Sequence, residues 1–301
     1  MHNLPKLILS LALLSCQIPA ASAATHNTKS ISYTDIGQGQ PLVLIHAFPT
    51  DQTIWLPQQE ELSHYFRVIT LDLWGFGQAE ATDSQAVTMT NYADEVKQLL
   101  DQLHIKKAII AGESMGGYIA LAFLQHYPDN VSGLVLSDTQ VIADSPETKA
   151  KREQTAVAVL KQGTAQLIDS FMLKALTPMA PVQKRNFLHA MLATQTRSAI
   201  ASALRGMALR EDTSTVLANT SLPILILTGD QDTLILPQQS EQMHKLAKNS
   251  QLITLSNAAH LSSLEQSEQW DHAVIALFYL DILLAVNDED SYRVTHLLTD
   301  M

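Results

Sequence analysis

Thiols are almost missing: Cys16 is the single cysteine in 301 residues, and it lies so early that a chain cut after Ala23 would have none. Neither disulfides nor thiol catalysis is then open to the protein. Positive charge is also scarce, with 19 Lys+Arg against 30 Asp+Glu and a net charge of -11, which disfavours a nucleic-acid partner or an anionic membrane surface. No apolar run reaches the length of a membrane span. Internal repeats and low-complexity tracts are missing as well. With 46% hydrophobic and 16% charged residues, the composition is that of an ordinary globular protein, long enough for one large domain or two small ones.

The first residues differ from the rest. "MHNLPKLILSLALLSCQIPAASAAT" carries one lysine, an apolar run from Leu7 to Leu14, Pro19, and the small-x-small site Ala21-Ser22-Ala23. Residues 1–23 therefore read as a cleavable export signal, which predicts a periplasmic or secreted protein. Within it, "LLSC" resembles the lipobox of bacterial lipoproteins, so a lipid anchor at Cys16 is the alternative. Removing the segment takes away only one charge, Lys6, and the body stays acidic.

In the body, apolar runs of strand length recur at "PLVLIHAF", "FRVITLDLWG", "KKAIIAG", "VSGLVLSD", "LPILILTGD" and "QLITLSN". Runs that do not alternate suit strands buried on both faces of a parallel sheet. Helical patterns separate them, at "NYADEVKQLLDQLHI", "MGGYIALAFLQHYP", "SEQMHKLAKN" and "SLEQSEQWDHAVIALFYLDILLAV". The fold class that follows is α/β, a doubly wound, mostly parallel sheet. Between Asp138 and Leu222 the alternation fails and only helical patterning remains, which predicts an inserted helical cap over residues 139–221. Core segments then cover 24–138 and 222–281, and residues 282–301 form an extension with an acidic middle, for which we expect a turn and a short helix. Met172, Met179, Met191 and Met207 are expected to pack the cap against the body, with part of that stripe facing substrate.

The stretch "AGESMGG" places Ser114 between Gly112 and Gly116 at a strand-to-helix junction. A serine seated on so sharp a turn strains its backbone and crowds positions two before and two after, which must then be tiny. The turn lifts the hydroxyl clear of the sheet edge and puts the Met115 N–H where an oxyanion would develop. A serine needs a base, and the base an orienting acid. Asp232 follows one apolar run and His260 the next, so all three are predicted at the same sheet edge, with Asp230 as second choice for the acid. Ser262 and Glu265 are expected to form a capping box after His260. Other histidines, His64, His104, His126, His189, His244 and His272, are read as surface or helix-face residues. The loop "HAFPTDQTIW" offers the Phe48 N–H as second oxyanion donor.

With those pieces in order, residues from about Ser32 to Leu280 resemble the α/β-hydrolase superfamily, in the branch of cofactor-free haloperoxidases and 3-oxoadipate enol-lactonases. The matching motifs are "HAFPTDQTIW", "DLWGFG", "GESMGG", "LVLSDT", "GDQD" and "AAHLSSLEQ". The resemblance implies Ser114 as nucleophile, Asp232 as acid, His260 as base, Phe48 and Met115 as oxyanion donors, and no metal or organic cofactor. It departs from the pattern at Ala47, where relatives usually have glycine. The expected activity is hydrolysis of a small ester or lactone through an acyl-serine. Perhydrolysis, carbon–carbon bond hydrolysis, a non-catalytic ligand-binding role and an interaction role are the alternatives.

Overall fold

A computed structural model describes residues 31–280; the expected export signal, Cys16 and the expected C-terminal extension lie outside the described residues. All six apolar runs form strands: β2 Pro41–Ile45, β3 Arg67–Asp72, β4 Ala108–Glu113, β5 Val131–Ser137, β6 Ile224–Gly229 and β7 Ser250–Leu255. A further strand, β1 Ser32–Gly37, precedes them. The sheet runs in the order β1-β3-β2-β4-β5-β6-β7. Its pairs are parallel except β1 with β3.

Side chains alternate across a strand, so a sheet covered on both sides needs apolar residues at every position. Val43, Ile45, Ile110, Leu134 and Ile226 enter the core on one face together with Tyr92, Val96, Ile119 and Phe123. Leu42, Leu44, Ile109, Val135 and Leu225 enter the other with Leu62, Trp270 and Val274. The first face is covered by α2 Met89–Gln102 and α3 Met115–His126, the second by α1 Leu56–Leu62 and the C-terminal helices. Burial of a single such side chain is worth roughly 2 kcal/mol. Full burial stops at the margins: β1 and β7 are partly exposed, because an edge strand has one neighbour and incomplete cover.

Between β5 and β6 the chain forms α4 Pro146–Gln162, α5 Ala165–Ala175, α6 Val182–Ala193, α7 Arg197–Ala208 and α8 Ser214–Asn219, with no strand. Polar ties strap these helices to the body. Gln195 donates to Asp51 at 2.8 Å, Val87 N–H to the Ser202 carbonyl at 3.2 Å, and Leu261 N–H to the Ala175 carbonyl at 2.9 Å. Of the methionines expected to pack the cap, Met191 and Met207 are buried, but Met179 is 87% exposed. It sits in the turn between α5 and α6, outside any helical stripe.

After β6 come α9 Pro237–Leu246, β7, α10 Ser262–Glu265 and α11 Ser267–Ile275, closed by a π turn over Ala276–Leu280. The expected single C-terminal helix is thus broken at Gln266, where φ is -124° and ψ 52°. The expected capping box is not formed either: α10 has Leu261 at its N-cap and no side-chain cap. Ser262 donates instead to Asp138, and the Glu265 carboxylate accepts from Thr177 and Ala259 N–H. Tertiary partners win because both side chains are buried, where an unmet hydrogen bond costs more than a lost cap yields.

Candidate active site

Strand β4 ends at Glu113 and α3 begins at Met115, leaving Ser114 alone at the junction with φ 56° and ψ -114°. That left-handed backbone is strained for a residue with a side chain. The flanking glycines are required by close approach: a Cβ at Gly112 would lie 2.1 Å from the Gly116 carbonyl oxygen, and one at Gly116 would lie 2.1 Å from the Ile45 carbonyl oxygen. Serine at this corner is held from below as well, since Ser114 N–H donates to the Ser137 carbonyl at 2.8 Å and Thr139 donates to the Ser114 carbonyl at 2.8 Å.

The Ser114 hydroxyl meets His260 Nε2 at 2.8 Å, and His260 Nδ1 meets Asp232 Oδ2 at 2.8 Å. A carboxylate only accepts, so the ring proton belongs on Nδ1, and Nε2 is left to accept from the serine. The other carboxylate oxygen, Oδ1, accepts Leu234 N–H at 2.7 Å and Ile235 N–H at 3.0 Å. Asp232 is thereby fixed from both sides. Ser114, Asp232 and His260 are 8%, 2% and 3% exposed. Burial alone would lower the imidazole pKa, but the charge and hydrogen bond of Asp232, with a contribution from Asp138, outweigh it and raise the value above 6.5. Asp230, the second choice, is exposed and receives only Ala258 N–H, at 3.3 Å. All six histidines assigned to the surface are exposed.

Met115 N–H opens α3, where the first amides of a helix have no partner within it. Phe48 follows β2 and borders the same cavity as Ser114 and His260. Its loop is pinned by a residue that sequence reasoning did not single out. His46 is fully buried, donates from Nδ1 to the Ala47 carbonyl at 2.9 Å and accepts Leu73 N–H on Nε2 at 3.1 Å. Burial lowers its pKa, so it acts as a neutral peg. The Ala47 carbonyl also accepts from Thr50 N–H and Oγ. The Ala47 methyl group packs with Ile54 and Trp55 in the apolar core and does not line the cavity, so this departure from glycine leaves the space beside Ser114 open.

Two further carboxyls lie under the histidine. Glu113 accepts Ser263 N–H at 3.1 Å and Ser263 Oγ–H at 2.7 Å, while Asp138 accepts Gly229 N–H at 2.8 Å and the Ser262 hydroxyl. Burial pushes Glu113 up to about 7, against the hydrogen bonds from Ser263, and it pushes Asp138 well above the carboxylate range with the Glu113 charge adding to it. Such a group stabilises the fold below its unfolded pKa and loses that contribution as pH rises through the folded value. For Glu113 the window runs from 4.5 to about 7. Glu113→Gln is expected to gain on the wild type by on the order of 1–3 kcal/mol between about pH 5 and about pH 8, read from thermal melts across that range; parallel melting curves for the two proteins would refute the assignment.

A cavity of about 460 Å³ opens in front of Ser114 and His260, within the range of small-molecule sites. The cap forms its outer wall through α4, α5 and α7. Phe171 of α5 stands edge-on to the His260 ring at 6.3 Å.

Residues 40–267 match the model of the alpha/beta hydrolase fold. The chain belongs to the α/β-hydrolase family. A pimeloyl-[acyl-carrier protein] methyl ester esterase of Aliivibrio fischeri is 30% identical over 250 residues, covering 78% of this chain and 91% of the relative. The 3-oxoadipate enol-lactonase 1 of Acinetobacter baylyi is 27% identical over 81% of this chain and 90% of its own. Among solved structures, a thermophilic esterase from Thermogutta terrifontis, with malate bound, superposes with a TM-score of 0.81 at 33% identity, over 84% of this chain and 94% of that one. This α/β-hydrolase therefore sits in the branch that the sequence motifs suggested, among esterases and lactonases.

Proposed function

We propose that the protein is a serine hydrolase, a carboxylesterase or lactonase that cleaves small esters or lactones through an acyl-enzyme. The observation that carries this reading is the pair of 2.8 Å bonds from Ser114 to His260 and from His260 to Asp232. Attack of Ser114 Oγ on the carbonyl transfers its proton to His260 Nε2, and the negative Asp232 stabilises the imidazolium that results. The Met115 and Phe48 amides hold the oxyanion, worth about 3 kcal/mol per donor in sites of this kind. His260 returns the proton to the leaving alcohol, then deprotonates the water that clears the acyl group. The esterase and enol-lactonase relatives support the same substrate class.

Only the neutral imidazole can take the serine proton. Because the His260 pKa is raised above 6.5, kcat/KM for a neutral ester is expected to fall as pH drops through a single ionisation above that value, and a profile flat down to about pH 5 would contradict the base assignment. The direct test of the nucleophile is reaction with an aryl fluorophosphonate followed by peptide mass analysis. The adduct is expected on the peptide that carries Ser114, and an adduct elsewhere, or none in a folded protein, defeats the reading.

Residues 1–23 support a second proposal, that the chain is exported and cut after Ala23. The mass of the exported N-terminus checks it: Ala24 as first residue supports cleavage, and an acylated Cys16 replaces it with a lipoprotein.

A further inference from the structure

The cavity in front of Ser114 reverses the charge of the molecule around it. The chain carries 30 acidic against 19 basic residues, yet the cavity is lined by Lys151, Arg152 and Lys174 and by no aspartate or glutamate. Helical spacing explains how this wall is built. Thr148, Lys151, Arg152 and Thr155 of α4 stand at i, i+3, i+4 and i+7, as do Leu167, Ser170, Phe171 and Lys174 of α5, so one face of each helix is turned to the cavity. Each of those faces contributes one lysine.

The three cations are not equivalent. Arg152 is committed to Asp144 through an Nε–Oδ2 ion pair, and Arg210 shares the same carboxylate at 2.7 Å while stacking on Tyr118. Lys151 and Lys174 pair with no carboxylate among the described residues. Both are exposed and line the same cavity as Ser114 and His260, so a ligand held in the cavity comes within their reach. The rest of the lining is different: Phe48, Phe171, Leu204, Met207 and Ile235 give the cavity apolar surface, with Phe171 edge-on to the His260 ring.

The geometry points to an ester whose far end is a carboxylate, with Lys151 and Lys174 as the residues that select it. This rests on the serine-hydrolase reading for its chemistry but not for its binding. An apolar spacer fits the apolar lining, the scissile carbonyl sits at Ser114, and the distal anion meets the two lysines. Water supplies the hydroxyl of the acid product and the proton of the alcohol. Electrostatic selection of this kind is attractive at low salt and screened at high salt.

Methyl hydrogen glutarate and methyl pentanoate test it, since they differ by a carboxylate in place of a terminal methyl group. The wild type is expected to favour the hemiester in kcat/KM, and the ratio of the two substrates is expected to fall about tenfold in Lys151→Gln/Lys174→Gln and with added salt. Lys161→Gln, which removes a charge on α4 away from the cavity lining, should leave the ratio where it was. A wild type that hydrolyses the neutral ester at least as well as the hemiester overturns the selection and leaves the hydrolase reading intact. Calorimetric titration with glutarate separates the two ideas when neither ester is cleaved. Binding that the double lysine variant weakens then upholds the anion site while the hydrolase reading fails, and no binding overturns the site itself.

Discussion

Ser114→Ala is expected to lower turnover of an aryl ester by on the order of a million-fold, because in the proposed mechanism every covalent step passes through this oxygen. The substitution removes one atom, the one 2.8 Å from His260 Nε2, and leaves the amides of Met115 and Phe48 in place. Residual hydrolysis above the uncatalysed rate therefore measures what those amides and the cavity achieve without a nucleophile. Alanine takes up the backbone of Ser114, φ 56°, with the same strain as serine, so the thermal midpoint should move little. A variant that melts like the wild type and retains activity within tenfold would remove Ser114 from the mechanism.

Asp232→Asn should lower kcat by on the order of ten-thousand-fold through a different cause, the imidazole tautomer. Asp232 Oδ1 is held by two backbone N–H groups, Leu234 and Ile235, and Oδ2 faces His260 Nδ1. An asparagine keeps its oxygen toward those donors and turns its amide N–H toward the ring. Nδ1 must then accept, the ring proton moves to Nε2, and no lone pair is left for the serine proton. Asp230→Asn is the matched control, since Asp230 is exposed and lies outside this chain of bonds; it should stay within a few-fold of wild type. Equal losses at both positions would mean that charge near the sheet edge, and not ring orientation, is what matters.

The elements that were legible in the amino-acid order share a physical origin. Strands β2 to β6 announce themselves because a strand covered on both faces needs apolar residues throughout, and Ser114 does so because steric crowding at the corner admits nothing larger than glycine at 112 and 116. β1 gave no such signal. Its sequence, SYTDIG, is polar and half exposed, and it becomes a strand through pairing with β3 over Ser32↔Asp72 to Gly37↔Arg67. Pairing of that kind is a property of two segments, invisible in one.

His46 was overlooked for a similar reason. A histidine after an apolar strand reads as a turn residue until its ring is seen bonded to the Ala47 carbonyl and to Leu73 N–H, a partner 27 positions away. Ser262 and Glu265 obey the spacing of a capping box but answer to Asp138 and Thr177, 124 and 88 positions away. Lys151 and Lys174 show the limit most clearly, because periodicity identifies a helix face without saying what that face meets.

Local rules thus settled the parallel core, the serine corner and the order Ser114, Asp232, His260, since backbone sterics and burial act on residues near in sequence. Long-range packing settled the rest: the edge strand, the peg under the Phe48 loop, the Glu113 and Asp138 carboxyls with their buried partners, and the cationic lining that α4 and α5 give the cavity. Those depend on which surfaces come together, and the free energy that brings them together belongs to contacts between segments far apart in the chain.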